Sequence, residues 1–164
     1  MLSFTTSLLT VGCTNENEIS HETVDQVKVD DIKEPIQEKF NQTMALAEKG
    51  DAEAQYNLGW MYSNGEGVES DETVTAQWFQ KAADQGHIKA LYNLGVMYRD
   101  GVGVPQDDIK SADYLLKAAD QGYAPAQFNL GTLYFEGRGV PQHDIKAADY
   151  FLKAADQGVA GAQY

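Results

Sequence analysis

The hexapeptide Lys-Ala-Ala-Asp-Gln-Gly occurs three times in the chain, at 81–86, 117–122 and 153–158, so successive copies lie 36 residues apart. The same interval separates Gly59, Gly95 and Gly131, and also Ala54, Ala90, Ala126 and Ala162. A fixed period in the range of about 20–50 residues marks a solenoid, in which a unit that cannot bury its own apolar face stacks on its neighbours. This period rules out most enzyme folds and says little about a ligand.

Each unit reads as helix A, a glycine-containing loop, helix B and a tight turn, which makes the chain all-α. In the first unit helix A covers 52–63, where Ala54, Leu58, Met61 and Tyr62 share one face at i, i+4, i+7 and i+8. The equivalents are Ala90, Leu94, Met97 and Tyr98, then Ala126, Leu130, Leu133 and Tyr134. Gly59, Gly95 and Gly131 lie inside this helix, where glycine costs about 1 kcal/mol relative to alanine. A cost incurred three times predicts close approach of helix B. Gly-x-Gly-Val loops follow at 65–68, 101–104 and 137–140, with the valines expected to tuck between the helices. Helix B is expected to start near Asp71, Asp107 and Asp144, since acidic side chains suit a helix N-terminus. It would turn Ala76, Phe79 and Ala83 inward, with Ala112, Leu115 and Ala119, and Ala148, Phe151 and Ala155, as equivalents. Gly86, Gly122 and Gly158 would close it as left-handed caps.

The pattern A-x-A-Q-Y-N-L-G-x-x-Y-x-x-G-x-G-V, then A-x-x-W/Y-x-x-K-A-A-x-Q-G, resembles the Sel-one-like repeat family, close relatives of tetratricopeptide repeats. The resemblance covers about 50–164 in three complete units at 50–85, 86–121 and 122–157; the first departs at Glu69-Ser70-Asp71, which lacks the proline of the other loops. It implies a right-handed α-solenoid of helix-loop-helix repeats. It also implies a non-catalytic adaptor, of the kind found in bacterial signalling, envelope or host-contact complexes, holding a protein or peptide segment in a groove lined by helix A. Some secreted members are described as penicillin-binding or weakly β-lactamase-like. Those have a cysteine pair per unit, whereas no repeat here has a cysteine. That activity stands as the alternative, and a structural or toxin-immunity role comes after it.

Within the expected groove, positions that the core leaves open vary from unit to unit. Trp60, Val96 and Thr132 form one series, Ser63, Arg99 and Phe135 a second, and Glu53, Lys89 and Pro125 a third. Tyr56, Tyr92 and Phe128 are aromatic throughout, and packing explains them better than contact with a ligand. Asn57, Asn93 and Asn129 are identical, which suggests a hydrogen bond between repeats. Exposed aromatic residues such as Trp60 or Phe135 suit an interaction hot spot. No nucleophile–base constellation is visible. The Gly-x-Gly loops follow helices and lack a downstream Lys-Ser/Thr, so they do not read as phosphate cradles. His21, His87 and His143 have no partner at ligand spacing, and no metal or cofactor is expected.

The formal net charge of −13, with only 12 Lys and Arg, argues against a nucleic-acid partner and serves solubility. Cys13 is the single cysteine and ends an uncharged, mildly apolar stretch, 1–13, too short to span a bilayer as a helix. Val11-Gly12-Cys13 resembles a bacterial lipobox, although Thr10 stands where leucine is usual and no basic residue precedes it. That reading makes Cys13 a lipidation site and membrane contact a matter of this anchor alone, in the periplasm or at the outer membrane. The alternative is a cytoplasmic chain. Residues 14–33 are polar and acidic and read as a flexible tether, and 34–49 as an N-terminal capping helix with Pro35 in its first turn. Residues 158–164 open a fourth helix A and stop, which would leave an apolar face open to self-association.

Overall fold

The structure, a computed structural model, describes the backbone of residues 21–158 and the side chains of residues 33–158. Among these it holds seven helices and no strand: α1 (His21–Glu48), α2 (Ala52–Asn64), α3 (Glu72–Asp84), α4 (Ile88–Asp100), α5 (Asp108–Asp120), α6 (Ala124–Glu136) and α7 (Asp144–Asp156). Helices α2, α4 and α6 are the three A helices, and α3, α5 and α7 the three B helices. Each A helix packs on its own B helix, and each B helix packs on the next A helix. The result is an all-α solenoid.

Cys13, the 1–13 segment and residues 159–164 lie outside the described residues, as do 14–20 of the expected tether. The remainder of that tether is helical, because α1 starts at His21. No glycine or proline interrupts 21–34, and a polar stretch that cannot form a core can still form a solvated helix. Pro35 therefore lies inside α1 and not in its first turn. A proline there removes the bond to the carbonyl four residues back. Two compact units, Met1–Glu34 and Pro35–Tyr164, divide at this point.

The interior of the second unit is made of leucine and alanine. Leu58, Leu94, Leu115, Leu130 and Leu133 are fully buried, each contributing about 1.5–3 kcal/mol of apolar burial. Ala82, Ala118 and Ala154, from the repeated hexapeptide, are also fully buried and let the helices come close. Val68, Val104 and Val140 pack partly buried against the core clusters, as the loop pattern suggested. In α7 the equivalents of the inward-facing residues are less covered. Phe151 and Ala155 are half-buried and Ala148 is exposed, because no described helix packs over that face.

The mid-helix glycines do face helix B. A Cβ on Gly59, Gly95 or Gly131 would come within 2.6, 2.7 and 2.8 Å of the Phe79, Leu115 and Phe151 side chains. A second glycine contact joins successive repeats. Gly67, Gly103 and Gly139, the last glycines of the loops, have φ of 76°, 68° and 68°. A Cβ on Gly103 would overlap the Glu72 carbonyl of the preceding B helix, and one on Gly139 the Asp108 carbonyl. Gly67 sits the same way on Ile36 and Phe40 of α1.

Polar contacts finish the stack. Gln55 Nε2 donates to the Ala47 carbonyl at 3.1 Å and Gln85 Nε2 to Gln55 Oε1 at 2.8 Å, linking a helix end to the repeat behind it. Gln157, Gln127 and the Ala119 carbonyl repeat the relay two units on. Asp71 and Asp107 cap α3 and α5, each accepting two backbone N–H bonds. In the third unit the cap is His143, whose Nδ1 accepts from the Lys146 N–H at 3.3 Å. The start expected near Asp144 is thus one residue late: 143, not 144, continues the 36-residue series from 71 and 107.

Gly103→Ala and Gly122→Ala separate the two roles of glycine, since both have positive φ but only Gly103 meets a neighbour. Gly122→Ala should cost about 1–2 kcal/mol, from backbone conformation alone. Gly103→Ala should cost at least about 1 kcal/mol more, because an overlap between repeats adds strain of the overpacking kind. Urea midpoints of the two variants against the parent chain measure the difference.

Candidate functional site

The varying positions lie on the A helices α2, α4 and α6. In α2, Tyr56 stacks on Phe79 and on His87, with centroids 5.5 and 4.5 Å away. Trp60 meets the edges of Tyr56 and Phe79 at 6.3 and 6.0 Å and keeps 40% of its surface exposed. His87 caps α4 through Nδ1, and its Nε2 lies 3.0 Å from Glu53 Oε2, so Glu53 is held across a repeat boundary. Tyr92 packs edge-on against Tyr123 at 5.2 Å, and Phe128 against Phe151 at 5.5 Å. The aromatic series 56, 92 and 128 is therefore half-buried packing.

Trp60, Ser63, Tyr92 and Val96 converge on one cleft of about 190 Å³ between α2, α3 and α4, with Phe79, Thr75, Met97, Asn93 and Glu72 completing its lining. The other expected positions do not join it. Thr132 turns its hydroxyl back to the Phe128 carbonyl at 3.2 Å, Lys89 is exposed, and Phe135 stands apart at 59% exposure. Arg99 binds its neighbour Asp100 through two nitrogens, Nε at 2.7 Å and Nη2 at 3.0 Å. That hydrogen bond raises the guanidinium pKa and holds the Asp100 carboxyl below its ordinary value. The stability it adds is present at neutral pH and is lost as pH falls through the lowered carboxyl pKa.

The asparagine series divides. Asn129 Nδ2 reaches the Tyr92 hydroxyl at 3.5 Å across the repeat boundary, as the repetition suggested. Asn93 Nδ2 is buried and has no hydrogen-bond partner. Asn57 is exposed and lines a separate cleft with Lys39, Thr43, Trp60, Met61 and Glu66.

Between the A and B helices of the second and third repeats, aromatic stacks carry lysines. Tyr98 lies parallel to Tyr114 at 5.6 Å and Tyr134 to Tyr150 at 5.8 Å. Lys110 and Lys117 cover the first stack, Lys146 and Lys153 the second, with each ammonium 5.0–5.3 Å from a ring. The lysine that opens the repeated hexapeptide thus covers an aromatic ring (Lys81 lies 3.6 Å over Trp78).

Among the described residues no group of three or more His, Cys, Asp or Glu side chains is placed to hold a metal ion, and no helix is long and apolar enough to cross a membrane.

The Sel1 repeat family model matches three consecutive units, residues 52–87, 88–123 and 124–159. The chain belongs to the Sel1 repeat family. No curated protein matches it. Among solved structures it is similar to a Sel1 repeat protein from Oxalobacter formigenes, at 34% identity and a TM-score of 0.71 over 76% of this chain and 94% of that one. It is also similar to c5321, a protective antigen of uropathogenic Escherichia coli with an SLR fold, at 40% identity and a TM-score of 0.73 over 76% of this chain. The match spans only 27% of c5321. Likeness to the Helicobacter pylori cysteine-rich protein B, at 23% identity and a TM-score of 0.63 over 80% of this chain and 95% of that one, concerns the fold alone.

Sel1 repeats build interaction scaffolds, and of the five lining residues that sequence reasoning did not assign to the cleft, Glu72 and Asn93 carry polar groups that face no strong partner. A signal existed for Glu72. It stands 36 residues before Asp108, which pairs with Arg138 at 2.8 Å. The Arg138–Asp108 pair is about one-third exposed, with a guanidinium pKa raised by the hydrogen bond. A double-mutant cycle with Arg138→Ala and Asp108→Ala, read by urea unfolding, should return a coupling of about 0.2–1 kcal/mol. A coupling near zero would mean that the pair does not tie repeat 2 to repeat 3.

Proposed function

We propose that this Sel1 repeat chain is a non-catalytic adaptor that holds a segment of another protein along the A-helix side of the stack, at the cell envelope or outside the cell. The observation that carries the reading is the cleft at Trp60: an exposed indole beside Tyr92 and Val96, with Trp60 and Val96 at a position that changes from repeat to repeat on an otherwise repeated frame. Aromatic side chains that stay partly exposed in a preformed cleft are the usual anchors of protein interfaces. Because the A helices are fixed by glycine contacts at every step, the cleft is ordered before a partner arrives, which lowers the entropic cost of binding.

The envelope half of the proposal rests on Val11-Gly12-Cys13, read as a lipidation signal. It is in keeping with c5321, which is a protective antigen. Contact with a membrane would then run through the Cys13 lipid. Among the described residues α7 exposes Leu152 and leaves Phe151 half-buried, which adds a route to self-association.

Affinity capture with the full chain should recover a protein that a Trp60→Ala variant recovers at least about tenfold less well, in line with loss of a hot-spot residue. Equal recovery by both chains places binding on another face. In the native host, a palmitate analogue should label the chain and fail to label Cys13→Ser. Labelling of neither form removes the lipid anchor.

A further inference from the structure

The middle residue of each Gly-x-Gly loop lies beside the preceding helix, because the glycine after it rests on that helix: Gly103 and Gly139 on the first residues of α3 and α5, Gly67 on Ile36 and Phe40 within α1. In the first loop this residue is Glu66, which accepts from Lys39 of α1 at 2.7 Å. In the third it is Arg138, whose Nη2 and Nε donate to the two Asp108 carboxylate oxygens at 2.8 and 3.2 Å. In the second it is Val102, 43% exposed and unable to pair. The acid at that step is Glu72, 36 residues before Asp108. Among the described residues its carboxylate receives only the Ser63 hydroxyl, at 3.4 Å, and no cation lies within salt-bridge distance. Backbone differences do not explain the missing partner, since Gly101 and Gly103 have φ of 69° and 68°, and Gly137 and Gly139 match them.

Glu72 also lines the Trp60 cleft. We infer that the step between repeats 1 and 2 holds an arginine side chain of the partner segment, its guanidinium on Glu72 in the role that Arg138 plays for Asp108 one repeat later, and its aliphatic stem against Trp60 and Val96. The inference rests on the groove reading above and names what that groove takes.

Three further features fit this occupant. A guanidinium donates in a fork that matches a carboxylate and stacks on an indole face, so arginine suits the place better than lysine. Its methylene stem covers apolar walls, and here those are Trp60, Phe79, Val96 and Met97. Asn93 Nδ2 lies buried in the same lining with no partner, and a backbone carbonyl of an extended segment would accept from it. Over longer range, a net charge of −13 draws a cationic segment toward the cleft.

The test uses the full chain with Trp78→Phe, so that Trp60 is its one tryptophan. Three otherwise identical blocked pentapeptides serve as probes, with arginine, citrulline or glutamate between alanine and leucine residues. Trp60 emission reports binding. The arginine peptide should bind about tenfold or more tighter than the neutral citrulline peptide, the difference expected when one charge-assisted pair is lost. Glu72→Gln should erase that preference. Val102→Arg should erase it as well, by supplying the missing cation from within the chain, while leaving the urea midpoint unchanged or raised. A variant that merely disrupts folding would lower that midpoint. Equal affinity for arginine and citrulline overturns the inference; if both peptides also lose binding in Trp60→Ala, read by isothermal titration calorimetry because that variant has no tryptophan left, the groove reading stands without it. A preference that survives Val102→Arg overturns it too, and so does failure of all three peptides to bind, which leaves the groove itself to affinity capture.

Discussion

Each repeat is seated by one close contact, the last glycine of a Gly-x-Gly loop lying against the helix before it, within α1 for Gly67 and at the first residue of α3 and α5 for Gly103 and Gly139. At Gly103 and Gly139 the neighbour is a main-chain carbonyl, of Glu72 and Asp108, and there is no room for even a methyl group. A side chain can change rotamer to relieve a clash, but a carbonyl inside a helix cannot move without disturbing its own hydrogen bond. The spacing between successive helix pairs is therefore set by main chain. Leu58, Leu94 and Leu130 then fall in register without individual tailoring, and the two glutamine relays, two repeats apart, end on the equivalent carbonyls of Ala47 and Ala119.

A frame set this way can leave other positions open to change. The repeated hexapeptide looks at first like a functional signature, yet each of its parts has structural work: lysine over an aromatic ring, alanines at the closest helix contacts, glutamine in the relay and glycine at the cap. What differs between the units is the A-helix face and the middle of the loop. Glutamate, valine and arginine occupy equivalent sites at 66, 102 and 138. Two of them close an ion pair with the preceding helix, and the third leaves an acid beside a cleft with an aromatic wall.

The period, the two helices of each unit, the glycine caps and the close approach at Gly59, Gly95 and Gly131 were legible because each follows from local rules applied once per period. Other features were not. The start of α1 at His21 was hidden because a polar sequence without apolar periodicity does not announce a helix, and Pro35 looked like a beginning when it lies inside. The His143 cap was misplaced by one residue because Asp144 is the stronger capping type, although the period points to 143. Three identical asparagines suggested one shared role, but the partner of Asn129 is the Tyr92 hydroxyl from the repeat before. The residue equivalent to that tyrosine for Asn93 is Tyr56, whose ring stacks on Phe79 and His87. Glu72 was missed because a lone acid at a helix start reads as a capping charge until its counterpart at 108 is seen paired.

The central claim is that recognition occurs where the period breaks, at the step between repeats 1 and 2, and not on the repeated frame. Amide and indole NMR shifts of the full chain, followed as the captured partner segment is added, test this most directly. The largest changes should fall at Trp60, Glu72, Asn93, Val96 and Val102, with little change at the Tyr98–Tyr114 and Tyr134–Tyr150 stacks. Changes centred on those stacks and their lysines, with Trp60 unmoved, would contradict it.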